Sequence, residues 1–272
     1  MKIKAAVIQT NAGPLIEDNL RKVEEIIRAA VKEGAKLVLT PENTCRMLAK
    51  PEDKKEHSYR EEDHPALPFF SALAKELDIT VVVGSLSSVR ADDGRLFNRS
   101  YLFGRDGVIK ARYDKIHTFD VDLPNGDKYR ESDSIKAGDK IVLGEADGLK
   151  IGMSVCYDVR FPHIYRRLAK GGAQIITIPA AFTVPTGEAH WEVLLRARAI
   201  ESGAFVLAAA QVGIHDGGKR TYGHSMIISP WGEILQEIQH DSAGYACAEL
   251  DLEAVGKARS AIPTILHDQS LR

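Results

Sequence analysis

The apolar and polar positions of the chain follow two periods, one typical of strands and one typical of helices. Residues 3–9 (IKAAVIQ) form a short apolar run that predicts a buried strand. From about residue 17 to 33 the apolar residues recur at helical spacing, which predicts a helix that ends at Gly34. The same patterns then predict a strand at 36–42, a helix at 66–77 and a β-branched strand at 79–85.

Two Asp-Gly pairs interrupt this alternation and predict hairpins. Asp106-Gly107 falls within the stretch 99–112, which we interpret as two strands joined by a turn. Asp147-Gly148 separates two further strands, at 140–145 and 149–155. The middle of the chain therefore predicts antiparallel strand pairs rather than strands connected by helices.

The rest of the chain returns to alternating strands and helices and ends in strands. We predict, in order, a helix at about 162–170, a strand at 174–179, a helix at about 188–202, and strands at 205–211, 222–229, 233–238 and 244–250. This order indicates an α/β fold with two mixed sheets flanked by helices. No Pro/Gly/Ser-rich linker and no internal repeat divides the sequence, so we predict a single domain over residues 1–272.

Composition excludes several classes of protein without identifying one. With 44% hydrophobic and 27% charged residues, the chain can bury a large core and is ordinary for a soluble protein. The formal net charge is −2, so no overall field favours nucleic acid or an anionic membrane. The N-terminal MKIKAAVIQT is too short and strand-like for a signal peptide, and no run of ~18 apolar residues predicts a membrane-spanning helix. We therefore expect neither a nucleic-acid nor a membrane partner.

The cysteines indicate the redox compartment. Cys45, Cys156 and Cys247 are widely separated and odd in number, which does not fit a disulfide framework. Free thiols suit a reducing compartment, so we expect a cytoplasmic location.

Reactive side chains follow three of the predicted strands. Glu42 ends KLVLTPE, Lys115 follows VIKARYD, and Cys156 follows IGMSV. Active-site groups of α/β folds collect at strand ends, because the sheet fixes them while the loop exposes them. A thiol, a carboxylate base and a cation for the oxyanion make a complete set for acyl transfer. Glu131, in a polar stretch (113–138) that predicts a long loop, is a fourth candidate.

Each of the three residues also has a purely structural interpretation. Cys156 fits a small core residue at the end of a strand. Glu42 fits a turn or cap residue, and Lys115 fits a solvated surface side chain. From the residues alone, the catalytic and the structural interpretations both stay open.

Three motifs, LTPE (39–42), YDKIH (113–117) and GMSVCYDVRFP (152–162), follow one another along the chain. In these motifs, and almost from end to end, the chain resembles the carbon–nitrogen hydrolases of the nitrilase superfamily. The resemblance implies a four-layer α-β-β-α sandwich whose subunits pair as a homo-oligomer, commonly a dimer. It also implies no metal and no organic cofactor, and the sequence contains no HExxH, CxxC or Walker loop.

The resemblance further implies a role for each candidate residue. Glu42 would be the general base, Cys156 the nucleophile, and Lys115 the cation that stabilises the tetrahedral intermediate. Glu131 matches a second glutamate that positions the substrate and the lysine. The backbone N–H of Tyr157 would be another donor to the oxyanion.

Two later stretches, 185–202 and 222–235, look most like the amidases that hydrolyse deaminated glutathione and next most like ω-amidases. Both substrate classes carry a carboxylate, which needs a cationic or N–H-rich subsite. Arg160 could supply that subsite, or could form a structural salt bridge. We predict Phe182 and Thr183 on the wall of the pocket. The loop 212–220 has no counterpart that we can assign and could contact the substrate.

Other interpretations stay open beside the amidase. Within the family, a carbamoylase or a nitrilase would use the same residues. Outside catalysis, the chain could be a catalytically silent scaffold or a redox-sensing thiol protein, because an activated cysteine is also oxidisable. We interpret His117, His190 and His224 as structural or subunit-contact residues, since Glu42 already supplies the base.

Overall fold

The computed structural model describes residues 1–48, 53, 56–123, 126–239 and 241–267, and within them two six-stranded mixed sheets. The first sheet contains, in spatial order, β16 (Gly244–Asp251), β1 (Lys2–Gln9), β2 (Leu37–Leu39), β3 (Thr80–Arg90), β4 (Leu96–Phe103) and β5 (Ile109–Asp114). The second contains β15 (Ile234–Glu237), β14 (Met226–Ile228), β11 (Phe205–Ala208), β10 (Ile175–Thr177), β9 (Leu149–Met153) and β8 (Val142–Ala146).

The two sheets share one plan, a parallel centre with antiparallel strands on either side. In the first sheet β1, β2 and β3 are parallel, and in the second β9, β10 and β11 are parallel. Because parallel strands end at the same edge of a sheet, each sheet presents several strand ends at one place.

Helices cover the outer face of each sheet. They are α1 (Ile16–Lys32), α2 (Ala66–Leu77), α3 (Pro162–Lys170), α4 (Val184–Ser202) and α5 (Glu253–Ala261). Alternation along β1 shows the layering, because Ala6 and Ile8 pack with residues of α1 and α2, whereas Ala5 and Val7 pack with residues of the second sheet. The predicted four-layer α-β-β-α sandwich with two mixed sheets is confirmed.

Both predicted Asp-Gly hairpins are present. β4 and β5 pair antiparallel around Gly107, whose φ is +77°. β8 and β9 pair around Asp147 and Gly148, which have φ values of +52° and +81°. Two successive left-handed residues are what a two-residue hairpin turn with the right-handed strand twist requires.

The stretch 113–138 is more ordered than the predicted loop. Two three-residue strands, β6 (Asp120–Asp122) and β7 (Lys128–Arg130), pair antiparallel within it, and a short 3₁₀ turn follows at Glu131–Asp133. Strands of three residues are too short to give a recognisable period in the sequence.

The predicted strand at 222–229 is two strands. β13 (Arg220–Tyr222) pairs with β12 (Val212–Ile214) in a small separate sheet, and β14 pairs with β11 in the second large sheet. Gly223 and His224 lie between them with φ values of +75° and +54°, so the extended backbone breaks there.

Two helices also differ from the prediction. α4 begins at Val184 rather than near residue 188, because Pro185 occupies the first helical turn, where its missing N–H costs nothing. α5 was not predicted, since Val255 is the one buried residue on it and its sequence carries little apolar periodicity. None of the helices in the described ranges is long and apolar enough to cross a membrane.

Candidate active site

The ends of strands from both large sheets meet at one cavity. Glu42 follows β2 and Lys115 follows β5 of the first sheet, whereas Cys156 follows β9 of the second. Glu131 comes directly after β7, at the start of the 3₁₀ turn. The four side chains that the sequence singled out all line this cavity, which has a volume of about 350 Å³.

Lys115 lies between two carboxylates. Its Nζ atom is 3.1 Å from Oε1 of Glu42 and 2.7 Å from Oε2 of Glu131, and the residue is 2% exposed. Burial alone would lower the pKa of Lys115, but the charges of Glu131 and Glu42 outweigh it and raise the pKa well above its ordinary value. Lys115 is therefore a permanent buried cation, and the structural alternative of a solvated lysine is wrong for its environment.

Glu42 is held by hydrogen bonds on both carboxylate oxygens. Oε2 accepts from the backbone N–H of Ala181 at 2.8 Å, and Oε1 accepts from Lys115 and from Asn98 Nδ2. Burial alone would raise the pKa of Glu42, but the charge of Lys115 and hydrogen bonds from Cys156 and Asn98 hold it below its ordinary value. The carboxylate is ionised and faces the thiol.

Cys156 occupies a strained position at the start of a 3₁₀ turn that spans Cys156–Arg160. Its φ is +51°, a left-handed value that costs free energy for a residue with a Cβ atom. Its backbone N–H donates to the Pro179 carbonyl at 2.8 Å, which fixes the turn against the loop that follows β10. Burial and the nearby Glu42 charge raise the pKa of the thiol well above its ordinary value, so Cys156 is protonated at neutral pH.

A buried carboxylate, Asp158, connects the lysine segment to the cysteine turn. One oxygen accepts from the backbone N–H of His117 at 3.0 Å and lies 2.8 Å from the Nδ1 atom of that residue. The other accepts from the Tyr113 hydroxyl at 2.7 Å and from the Val155 N–H at 2.9 Å. Asp158 thus fixes residues on both sides of Lys115 relative to Cys156, and His117 supports this contact.

Sequence reasoning missed Asn98, which bridges the two glutamates. Its Nδ2 atom donates to Glu42 Oε1 at 2.8 Å and lies 3.3 Å from Glu131 Oε1. The backbone carbonyl of Asn98 accepts a hydrogen bond from the backbone N–H of Lys115 at 3.0 Å. The residue is 1% exposed. An asparagine within a strand has no motif around it, so only the register of β4 against the segment after β5 could have indicated this role.

Phe182 and Thr183 lie on the wall of the cavity, where the sequence predicted them. The Phe182 ring packs against Trp191 with centroids 4.7 Å apart. Thr183 is the residue before α4, and its hydroxyl is 2.8 Å from that of Thr186, which also lines the cavity. The start of α4 therefore forms one side of the cavity.

Arg160 and Tyr157 are not among the described residues that line the cavity, although Arg160 contacts the Phe182 ring of its wall. The Arg160 guanidinium is 5.2 Å from the centroid of the Phe182 ring and 5.8 Å from that of Tyr157, and it contacts His190. Among the described residues, no carboxylate lies within ion-pair distance of Arg160, so the structural salt bridge considered for it is not present. Its contact with a substrate carboxylate stays a prediction.

The backbone N–H of Tyr157 is available for an oxyanion. It follows the nucleophile position directly, and it donates to no backbone carbonyl among the described residues. Its role as a donor to the oxyanion stays a prediction that this geometry permits.

The remaining cysteines and histidines lie outside this cluster. Cys45 is 2% exposed in the core beneath α1 and α2, where burial raises the pKa of its thiol. The Nδ1 atom of His224 forms a hydrogen bond of 2.7 Å with Oε1 of Glu237. In the described part of the chain, no group of three His, Cys, Asp or Glu side chains could hold a metal ion.

Comparison with known proteins identifies relatives over nearly the whole chain. The carbon–nitrogen hydrolase profile matches residues 4–260. A deaminated glutathione amidase of Yersinia enterocolitica is 38% identical over 97% of this chain and 92% of its own length. The ω-amidase NIT2 of Xenopus tropicalis is 33% identical over 96% of this chain and 93% of its own length.

Solved structures show the same fold. The NitFhit protein of C. elegans superposes with a TM-score of 0.91 at 32% identity, covering 98% of this chain and 65% of that longer chain. An amidase of Nesterenkonia, carrying acrylamide added to its active-site cysteine, superposes with a TM-score of 0.79 at 25% identity over 96% of this chain and 98% of its own. Both the sequence profile and these relatives extend across the two sheets and the cavity between them, and the chain accordingly belongs to the carbon–nitrogen hydrolase family of the nitrilase superfamily.

Proposed function

We propose that this protein is an amidase that hydrolyses the C–N bond of a small carboxylate-bearing amide, with deaminated glutathione as the substrate. The leaving group is ammonia from a primary amide and the amine of cysteinylglycine from deaminated glutathione. The observation that carries the proposal is the buried cluster of a thiol, two carboxylates and a lysine on the floor of one cavity. Such a cluster supplies a nucleophile, a base and a cation without a histidine or a metal.

In the first half of the proposed reaction, Cys156 Sγ attacks the amide carbonyl carbon while its proton moves to Glu42. The carbonyl oxygen becomes an oxyanion, which the Lys115 ammonium and the Tyr157 N–H stabilise. Glu42 then gives the proton to the leaving nitrogen, the C–N bond breaks, and the amine (ammonia when the amide is primary) departs and leaves a thioester on Cys156.

In the second half, a water molecule attacks the thioester carbonyl and gives one proton to Glu42. The tetrahedral intermediate collapses, the C–S bond breaks, and the proton returns to the Cys156 sulfur. The products are the carboxylic acid and the free enzyme. Glu131 and Asn98 keep Lys115 and Glu42 in place through both halves, so the charge arrangement is the same for each attack.

Relatives support the substrate class. The Yersinia enterocolitica and Xenopus tropicalis proteins are named for two amides that each carry a carboxylate, deaminated glutathione and the substrate of ω-amidase. The higher identity to the first favours deaminated glutathione. The second candidate is an ω-amidase acting on α-ketoglutaramate.

Hydrolysis of a panel of substrates, followed by chromatography as loss of substrate and appearance of products, tests the substrate assignment. Purified protein is incubated with deaminated glutathione, α-ketoglutaramate, glutamine, a carbamoyl compound, an aliphatic amide and a nitrile. We expect the highest kcat/KM for deaminated glutathione. Preference for the aliphatic amide, the carbamoyl compound or the nitrile over the first three would overturn the substrate class.

Variants of the cluster test the assigned roles. We expect Cys156→Ala and Glu42→Gln to be inactive, and Lys115→Ala to lose a factor of at least about 10²–10³ in kcat, since it removes a group that stabilises the oxyanion. Cys247→Ala, on β16, is the matched control and should keep full activity. A folded Cys156→Ala or Glu42→Gln protein with unchanged turnover would refute the mechanism. Loss of turnover on alkylation of Cys156 would support the hydrolase, whereas redox activity without any amide turnover would favour a redox-sensing thiol protein.

We also propose a cytoplasmic location and a homodimer. The three cysteines are free thiols, as expected in a reducing compartment. Apolar side chains on α4 and the adjacent turn, namely Val193, Ile200 and Trp231, are each more than half exposed and would be covered in a dimer. Recovery of the protein in the cytosolic fraction of its source cells, rather than in the membrane or secreted fraction, tests the location.

A further inference from the structure

We propose that Lys219 and Lys128, at the mouth of the cavity, form a subsite for the carboxylate of the substrate, so that the amide reaches Cys156 while the acidic end stays at the mouth. This inference rests on the proposed amidase function and deepens it, because it defines the substrates as amides with an anionic group remote from the reacting carbon. The contact with the substrate carboxylate is thereby assigned to Lys219 and Lys128 instead of Arg160.

The two lysines come from different hairpins that border the same cavity. Lys128 is on β7, and Lys219 precedes β13 in the loop 212–220 that the sequence left unassigned. The Lys219 Nζ atom lies 5.6 Å from the centroid of the Tyr129 ring, so the two hairpins meet at Tyr129. Both lysine side chains are exposed and line the cavity, as expected for a mouth rather than a floor.

Neither lysine is neutralised by a neighbouring acid. Within the described ranges, no carboxylate lies within ion-pair distance of Lys128 or Lys219. Arg130 also lines the cavity, but its guanidinium donates to both carboxylate oxygens of Asp122, at 2.9 and 3.0 Å. The two lysines therefore keep their charge for a ligand, whereas the arginine is already paired.

The floor of the cavity has the opposite charge. Glu42 and Glu131 are carboxylates, Lys115 is the one cation that contacts them in the described structure, and the Cys156 thiol is neutral. The cluster thus carries about one net negative charge. A substrate carboxylate is repelled there and attracted to the mouth, which orients the neutral amide toward the nucleophile.

One short segment of chain runs from the mouth of the cavity to the catalytic cluster. Tyr129, which Lys219 contacts, is two residues before Glu131, which pairs with Lys115. Two residues of extended backbone span at most about 7 Å. β7 and the turn that follows it therefore link the lysines at the mouth to the catalytic cluster through one short segment of chain.

Substrate preference tests the subsite directly. Glutaramate and its methyl ester have the same amide and nearly the same length, but only glutaramate is anionic. We expect Lys219→Met to lower the preference for glutaramate over the ester about fivefold through a higher KM, and Lys128→Met/Lys219→Met to lower it about 25-fold, since an exposed ion pair contributes up to about 1 kcal/mol. Lys257→Met, an exposed lysine on α5, is the control and should keep the wild-type preference.

Three results would overturn the subsite: equal loss on both substrates in the Lys219 variant, no loss in either lysine variant, or loss of the preference in Arg160→Met alone. Binding to inactive protein separates this inference from the proposed function. Calorimetry should show glutaramate binding the Cys156→Ala variant about fivefold more tightly than Cys156→Ala/Lys219→Met. If wild-type protein hydrolyses no amide, the proposed function fails, while this titration still decides whether Lys219 binds the carboxylate.

Discussion

At the scale of single residues, the same burial acts on Glu42 and Cys156 but leaves their pKa values shifted in opposite directions. For Glu42, Lys115 and two hydrogen-bond donors outweigh burial and lower the pKa. For Cys156, burial and the Glu42 charge act together and raise it. The resting site therefore contains a carboxylate and a thiol, so we expect the proton to move during attack on the substrate rather than before it.

The pH dependence of kcat/KM should reflect these two shifts. Glu42 must be ionised, and because its pKa is lowered, activity should fall only as the pH drops below its ordinary value of 4.5. Cys156 reacts from the thiol form, and because its pKa is raised, that form persists above the ordinary value of 9.0. We expect a plateau between these limits, measured as initial rates of amide hydrolysis with circular dichroism to confirm folding.

Thiolate absorbance at 240 nm gives an independent measurement of the same charge state. The difference between wild-type and Cys156→Ala protein should be absent at pH 7.5, because Cys156 is protonated there. A rate inflection between about pH 6 and 8 together with a thiolate signal would contradict this prediction and would indicate a preformed thiolate ion pair.

Asn98 should act as a positioning residue for Glu42. The Asn98→Ala variant loses the 2.8 Å hydrogen bond to Oε1, which helps to lower the pKa of Glu42. We expect kcat to fall about tenfold, as for the loss of one hydrogen bond to a charged group, and the acid limb of the profile to move to higher pH. A lower melting temperature with an unmoved acid limb would indicate that Asn98 has only a structural role.

The convergence of Glu42, Lys115 and Cys156 was predictable because each follows an apolar run and sits in a recognisable motif. Asn98, Lys128 and Lys219 were not predictable in the same way. A lone asparagine in a strand and a lone exposed lysine carry no local pattern, and their neighbours become known only when separate hairpins are placed together.

At the scale of elements, the long strands and helices were predictable and the short ones were not. β1, α1 and the Asp-Gly hairpins have clear periods or turn residues. Among the three-residue strands, β6 pairs with β7 and β12 with β13, outside both large sheets, so their sequences need not alternate over a recognisable length. β13 is followed by left-handed backbone at Gly223 and His224. The glycine is a residue that indicates such a conformation in a sequence, but the histidine is not.

Close packing of β3 against two loops should make Gly84 essential for the site. A Cβ atom on Gly84 would lie 2.0 Å from the Thr40 carbonyl oxygen and 2.6 Å from the Pro179 Cβ atom. Thr40 lies two residues before Glu42, and the Pro179 carbonyl accepts the backbone N–H of Cys156. We expect Gly84→Ala to lower the free energy of unfolding by about 1–3 kcal/mol and kcat/KM by about 100-fold, because the base and nucleophile would move apart.

Chemical denaturation and steady-state kinetics measure both effects. Gly256→Ala is the matched control, because α5 leaves open space for a Cβ atom there, and we expect unchanged activity with a slight gain in stability. Wild-type kinetics in a folded Gly84→Ala protein would show that the two loops can adjust without moving the catalytic groups.

At the scale of the whole molecule, the fold class could be predicted from the order of the elements. Which strand ends of the two sheets face each other at the cavity could not be predicted. Strand ends of the first sheet supply Glu42 and Lys115, and those of the second supply Cys156 and the Ala181 N–H. Sequence spacing gives no indication of which ends face each other across two stacked sheets. That arrangement results from burial of both inner faces in one core.

The exposed apolar residues of α4 should mediate the proposed dimer. Val193 and Ile200 are seven residues apart, which places them on one face of the helix, and the turn at Trp231–Gly232 lies against Ile200. We expect light scattering to give twice the chain mass for wild-type protein and the chain mass for Val193→Glu/Ile200→Glu. Val108→Glu is the control, since Val108 is 55% exposed on the β4–β5 turn. A wild-type monomer would refute the dimer.

The cavity is built from two kinds of structure with different tolerance to change. Its floor belongs to the ends of strands in two large sheets, whose packing allows little variation. Its mouth belongs to the β6–β7 and β12–β13 hairpins, which are small and lie outside both large sheets. Mutation of the hairpins can thus alter which carboxylate-bearing amides bind while the bond-breaking chemistry is retained. This scaffold therefore offers a route by which new substrate ranges can evolve.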